Sequence, residues 1–110
     1  MQKLSLEAHA REQLKIAKQS TNGRSSTTIY GGHEHALRQT LIALVAGTAL
    51  GEHESPGEAT VHVLSGRVRL DSGKDSWDGR TGDLIIVPSA RHDLLAVEDA
   101  VVLLTVVKKT

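Results

Sequence analysis

Six short runs of β-branched and aliphatic residues, each closed by a turn-forming pair, constrain this chain more than any other feature. They are Leu41 to Val45, Ala59 to Leu64, Arg67 to Leu70, Leu84 to Val87, His92 to Val97 and Val101 to Val107. Between them stand Ala46-Gly47, Ser65-Gly66, Ser72-Gly73, Asp78-Gly79, Thr81-Gly82 and Glu98-Asp99. Short strands at this spacing, punctuated by glycine turns, predict an all-β sandwich or barrel. Arg67-Val68-Arg69-Leu70 alternates strictly, so one of its faces is wet and the other dry. Val101 to Val107, VVLLTVV, is apolar on both faces, which predicts cover from the core on one side and from an N-terminal arm or a second subunit on the other.

A chain of 110 residues has room for one core. That core must be aliphatic, because there is no Phe, one Trp and one Tyr. Thirteen basic and thirteen acidic residues give a formal net charge of zero, so no global field draws the protein to nucleic acid or to an anionic membrane. The apolar run from Leu41 to Leu50 is far shorter than a membrane span. The first thirty residues carry a charged helical pattern where a secretory signal needs an apolar one, so a cytoplasmic protein is expected. With no Cys there is no disulfide framework and no thiolate site. Any metal must then sit on imidazole, carboxylate or water, which suits iron, manganese, nickel, copper or zinc.

Residues 5–19, SLEAHAREQLKIAKQ, read as a helix with Ser5 as N-cap, Glu7 in the first turn, and Lys15 and Lys18 toward the end. Leu6, Ala10, Leu14 and Ala17 form a narrow apolar stripe suited to lying on a surface. Residues 20–28, STNGRSSTT, read as a polar linker with Asn22-Gly23 as its turn. Residues 1–29 are thus expected to form a helical arm and linker, and residues 30–110 the β domain. One helix of mixed charge is no helix-turn-helix, which disfavours a DNA-binding role. Gly79-Arg80-Thr81-Gly82 joins two strands rather than opening a helix, so it is given no phosphate role.

Two runs share a further design. GTALGEHESPGEATVHVLSG, from Gly47 to Gly66, and GDLIIVPSARHDL, from Gly82 to Leu94, each join a Gly turn, an extended segment and a His beside a bend. This pair resembles the two sequence motifs of the cupin superfamily over roughly residues 30 to 108. In the first motif Gly47, a five-residue spacer, His53, Pro56, Gly57 and Gly66 fit, while Ser55 stands at the second His and Ala59 at the metal-binding Glu. In the second, Gly82, Pro88 and His92 fit, with one residue fewer than usual between Pro and His. The resemblance implies a double-stranded β-helix, or jelly-roll barrel, with a short N-terminal helical arm. It implies a metal far less, because two of four expected ligands are replaced. It also favours a homodimer, the commonest symmetric assembly.

His53 and His92 occupy the positions at which a ligand of such a barrel points inward. His62 is the nearest additional metal candidate, but alternation puts Ala59, Val61 and Val63 on one face and Thr60, His62 and Leu64 on the other. If Ala59 faces the barrel, His62 points away unless a bulge at Gly57 shifts the register. Glu54 could supply an oxygen, although its charged turn is suited to solvent. His33-Glu34-His35 puts two imidazoles on one face of an extended segment, and three readings stand: a loop with no ligand, a replacement for the lost ligands, or a substrate contact. No catalytic residue is assigned. With a bound divalent metal, the resemblance implies oxygenase-like or water-dependent chemistry on a small organic molecule. Without a metal, His62 or His92 could act as general base in an isomerase. The alternative class is a non-catalytic metabolite-binding or sensing module.

Overall fold

The computed structural model describes residues 1–55 and 57–108; the motif proline at position 56 lies outside the described residues. Helix α1 (Leu6–Gln19) begins where Ser5 accepts a hydrogen bond from the Ala8 N–H at 3.1 Å. Glu7 in its first turn and Lys18 in its last complement the helix dipole. At the C-terminal end Ser20 turns extended, its N–H returning to the Ala17 carbonyl. Ser5→Ala is expected to cost about 1 kcal/mol of stability, read as a lower denaturant midpoint at unchanged slope. An unchanged midpoint would mean that packing alone holds the first turn.

The segment expected to be a linker is, from Arg24 onward, strand β1 (Arg24–Tyr30). Asn22 Oδ1 accepts from Ser20 Oγ and from the Arg24 N–H, Gly23 turns with φ of 71°, and the Ser-Thr run that follows pairs along β2 (Leu37–Leu44). A polar composition resembles a linker, but Thr and Ile on an edge strand gain backbone pairing without needing two apolar faces. The remaining strands are β3 (Gly57–Ser65), β4 (Arg67–Ser72), β5 (Asp75–Arg80), β6 (Leu84–Ile86), β7 (Asp93–Ala96) and β8 (Ala100–Lys108). Strand β5 is a second difference: Asp78-Gly79, read as a turn, lies inside it, with Gly79 opposite Val68. A Cβ on Gly79 would come within 2.8 Å of Ile85 Cδ1 and 3.0 Å of Val63 Cγ2, so this glycine is a point of close approach within a strand rather than a bend.

All pairings are antiparallel, in a five-stranded sheet of order β1-β2-β8-β3-β6 and a three-stranded sheet of order β5-β4-β7. The chain is thus mostly strand, an all-β barrel of jelly-roll type with one N-terminal helix. Between the sheets Ile42, Leu44, Val61, Val63 and Val102 meet Val68, Leu70, Leu94 and Ala96 in one aliphatic core. The first step from the large sheet to the small one, between β3 and β4, is made at Gly66, with φ of 83°. Its backbone passes so close to the Asp99-Ala100 peptide that a Cβ would lie 2.1 Å from the Asp99 carbonyl oxygen.

The outer faces of the two sheets differ. The small sheet carries Arg67, Arg69, Asp71 and Asp78 outward, joined as Arg67–Asp78 and Arg69–Asp71 ion pairs. On the large sheet α1 packs over β1 and β2, and its stripe of Leu6, Ala10, Leu14 and Ala17 meets Leu41, Ala43, Val101 and Leu103 in a second cluster. The doubly apolar β8 is therefore covered on both faces along its first half. Its outward Thr105 and Val107 run on past the helix. Among the described residues, no helix is long and apolar enough to cross a membrane.

Candidate functional site

Backbone hydrogen bonds zip the two glycine-histidine runs together at one end of the barrel. Gly47 N–H donates to Ala96 O, Ala96 N–H to Thr48 O and Leu50 N–H to Leu94 O, at 2.8 to 3.0 Å. Asp93 Oδ1 accepts from the Gly51 N–H at 2.9 Å and from the Leu94 N–H at 2.8 Å. The ladder ends on His53 and His92, which exchange two backbone hydrogen bonds of 2.9 Å as a directly opposed antiparallel pair. Such a pair holds its Cα atoms about 5.5 Å apart with both side chains on one face.

The rings then meet, with centroids 4.4 Å apart and planes at 64°. His92 is 6% exposed, while His53 stands open to solvent, so the pair spans the boundary between core and mouth. Each ring is oriented by the backbone: His53 Nδ1 lies 2.8 Å from Gly51 O, and His92 Nδ1 lies 2.9 Å from Ala90 O. A carbonyl oxygen only accepts, so the neutral ring carries its proton on Nδ1 and keeps the lone pair on Nε2. Metal-binding histidines are oriented in this way, the other ring nitrogen donating to a carbonyl. Two imidazoles on one ion at about 2.1 Å with a tetrahedral angle place their ring centres about 5 Å apart, against the 4.4 Å between these two.

Below the pair the barrel is nearly full. The cavity walled by Ile42, Val61, Leu70, Leu94 and Leu104 has a volume of about 20 Å³, room for about one water molecule. A polar cleft of about 110 Å³ opens on the outer side between Glu54, Ser55 and Gly57 and the facing Ser89 and Ala90. Arg91, adjacent to His92, reaches across to the residues flanking His53, forming ion pairs with Glu52 and with Glu54 at 3.4 Å. The Glu52 hydrogen bond, followed by its charge, raises the Arg91 guanidinium pKa above its ordinary value.

The other expected residues are distributed around this pair. Ala59, Val61 and Val63 face the core, which puts His62 on the outward face, level with Leu103 and Leu84. The β3 irregularity falls between Val63 and Ser65, beyond His62, and does not turn it inward. Ser55 donates its hydroxyl to Gly57 O at 2.8 Å. His33 and His35 sit exposed in the loop between β1 and β2, where the His35 ring lies 5.1 Å from that of Tyr30. Glu54 points to Arg91. Among the described residues, no group of three or more His, Cys, Asp or Glu side chains could hold a metal ion. The Arg91 clasp was not anticipated, and its one sequence signal is an Arg beside His92 facing two Glu residues beside His53.

A family model described as the cupin domain matches residues 40–108. Among solved structures, a conserved protein of unknown function from Streptococcus pyogenes is 32% identical, covering 83% of this chain and 79% of its own, with a TM-score of 0.73. A cupin superfamily protein from Desulfitobacterium hafniense is 16% identical over 86% of this chain and 88% of its own, with a TM-score of 0.73. An RmlC-like cupin protein from Desulfovibrio desulfuricans is 23% identical over 76% and 81%, with a TM-score of 0.67. These last two likenesses concern the fold alone. No curated protein matches the chain.

Proposed function

Because the chain belongs to the cupin domain family, and its barrel opens on two imidazoles each held through Nδ1 by a backbone carbonyl, we propose that it binds a small molecule at the mouth. In this reading His53 and His92 hold a divalent transition metal. The observation that supports it is the meeting of the two rings, 4.4 Å apart between centroids, with each Nδ1 engaged by a backbone carbonyl. Two nitrogen donors suit nickel, copper, zinc or iron, and water or the ligand would fill the remaining positions. A metal there would supply Lewis acidity or an open position for dioxygen. The chain's own part is to fix both rings, to shield one side of the site with the filled aliphatic interior, and to present the polar cleft at Ser55 and Ser89 to the ligand. With about 20 Å³ inside the barrel, the ligand body rests in the mouth.

A second reading, a metabolite-binding or sensing module without metal, is favoured by one observation: Ser55 and Ala59 stand at the remaining ligand positions, and no third protein donor joins the pair among the described residues. Elemental analysis of tag-free protein prepared without chelator separates the two. Near-stoichiometric metal, or a clear thermal shift on adding nickel or zinc, is the expected result. An empty protein that does not respond to added metal would replace the first reading with the second.

A further inference from the structure

The rim of the barrel carries a cation that the histidine pair does not use. Val106 of β8 stands opposite Arg38 on one side and Ala59 on the other, and residues directly opposed in a sheet share a face. Val106 and Ala59 belong to the core between the sheets, so Arg38 also leaves β2 on the inner side. Its neighbours Leu37 and Gln39 line the outer surface beside Ile29 and Leu103. The next inward position along β2 is Thr40, opposite Leu104 in the wall of the cavity beneath the rings. Ala59 O accepts from the Val87 N–H, and Gly57, two residues before it, borders the cleft with Ser55 and Ser89. Arg38 therefore stands at the end where the mouth opens. It is half-buried and, among the described residues, makes no ion pair. The acidic groups around it are engaged or turned away: Glu52 and Glu54 pair with Arg91, Asp93 accepts from Gly51 and Leu94, and Glu58 faces outward. Glu34 stands exposed in the loop between β1 and β2.

Beside Arg38 lies an open polar wall. Thr28 is opposite Thr40, Ser26 opposite Ile42 and Arg24 opposite Leu44, so these β1 residues also face inward. They are exposed, whereas Ser25, Thr27 and Ile29 on the outward face are half-buried toward α1. The cause is the unequal width of the sheets: three strands do not reach across five, and the inner face of β1 is left uncovered. A cleft of about 370 Å³ lies there, bordered by Asn22, Ser26, Ile42 and Leu50. Ile42 and Leu50 also wall the cavity beneath the histidines, so cleft and mouth share a boundary.

We infer that the ligand held at the mouth is a small hydroxylated carboxylate, its carboxyl group taken by Arg38 and its hydroxyl groups by Thr28, Thr40 and Ser26. This rests on the reading that a small molecule binds there. A guanidinium offers parallel N–H donors that match both oxygens of a carboxylate. The remaining cations of this wall are committed to carbonyls: Arg24 Nη1 donates to Leu50 O at 2.9 Å and Lys108 Nζ to Gly32 O at 3.3 Å. One uncommitted cation balances one negative charge, which suits a carboxylate better than a doubly charged phosphate group. The neighbouring hydroxyls both donate and accept, as a ligand's own hydroxyl groups require. A few polar groups converging beside an apolar floor is the usual build of a small-molecule site.

The test is calorimetry and thermal shift on the full chain with malate and gluconate, beside their uncharged relatives malamide and sorbitol and beside inorganic phosphate. Saturable binding of at least one acid is expected, with phosphate weaker and the neutral compounds without effect. Arg38→Gln should weaken that binding at least about tenfold, and Arg38→Lys should recover only part of it, having the charge without the fork. With no ion pair to lose, both variants should keep the parent's melting temperature. Arg69→Gln removes an equal charge from the outward face of the small sheet and should bind as the parent does. Binding of neither acid, equal binding of phosphate or of the neutral relatives, unchanged binding by Arg38→Gln, or an equal loss in Arg69→Gln would each overturn the assignment. Failure of the acids alone leaves the mouth open to a neutral ligand. Metal uptake is read separately: Arg38→Gln should take up metal as the parent does, and a protein that takes up none would still show acid binding that depends on Arg38.

Discussion

Replacing Gly66 with alanine is expected to destabilise the barrel by about 3 kcal/mol or more, a large part of the ~5–15 kcal/mol that keeps a domain folded. Two costs coincide there. The left-handed φ of 83° disfavours any side chain, and the new Cβ would sit 2.1 Å from Asp99 O, a backbone atom that cannot rotate away. The chain crosses from one sheet to the other at this point, so moving Asp99 would shift the start of β8. Gly73 is the control, since its φ of 60° is equally left-handed but nothing lies within 4 Å of a built Cβ. Gly73→Ala should therefore cost only about 1 kcal/mol. Thermal unfolding should show Gly66→Ala melting more than about 10 °C below the parent and Gly73→Ala a few degrees below. Similar melting of the two would mean that the crossing relaxes without cost.

The second large effect is expected at the mouth. His53→Ala/His92→Ala should lower affinity for nickel or zinc by more than about 100-fold, since the proposed site then retains no imidazole. The single variants separate binding from folding. His53 is exposed, and its loss removes one donor at little cost to the fold. His92 is buried, and its loss leaves the Ala90 carbonyl without its partner, so some stability should go with the metal. Calorimetric metal titration beside a thermal melt reads both quantities. Metal uptake undiminished in the double variant would exclude this pair as the ligands.

The strands legible in the sequence were those whose side chains carry the energy. Val101 to Val107, Ala59 to Leu64 and Leu84 to Val87 are β-branched and aliphatic because both core and pairing depend on them. Strands β1 and β5 were not legible, being Ser-Thr and Asp-Ser-Trp-Asp-Gly edge strands stabilised by backbone pairing to neighbours that no local pattern reveals. Alternation alone placed His62 opposite Ala59 and Val63, as the structure has it, because the irregularity in β3 comes after it. The meeting of His53 with His92 was legible only through the likeness of the two runs. The carbonyls of Gly51 and Ala90 that set the tautomers, and the reach of Arg91 to Glu52, depend on loop paths. The near absence of space in the barrel depends on summed side-chain volumes, which no motif encodes.

That filled interior separates two tasks that an open barrel would combine. Where a ligand lies deep between sheets, each change of selectivity alters the same walls that hold the sheets together. Here those walls are committed to cohesion, and in the proposed reading molecular choice beyond ligand charge would fall to two short segments, 52–55 and 89–91, whose side chains stand mostly in water. Apart from His53, residues there could be exchanged at small energetic cost while the paired imidazoles remain fixed by main-chain atoms. A ligand held at the mouth could therefore change without the scaffold being rebuilt.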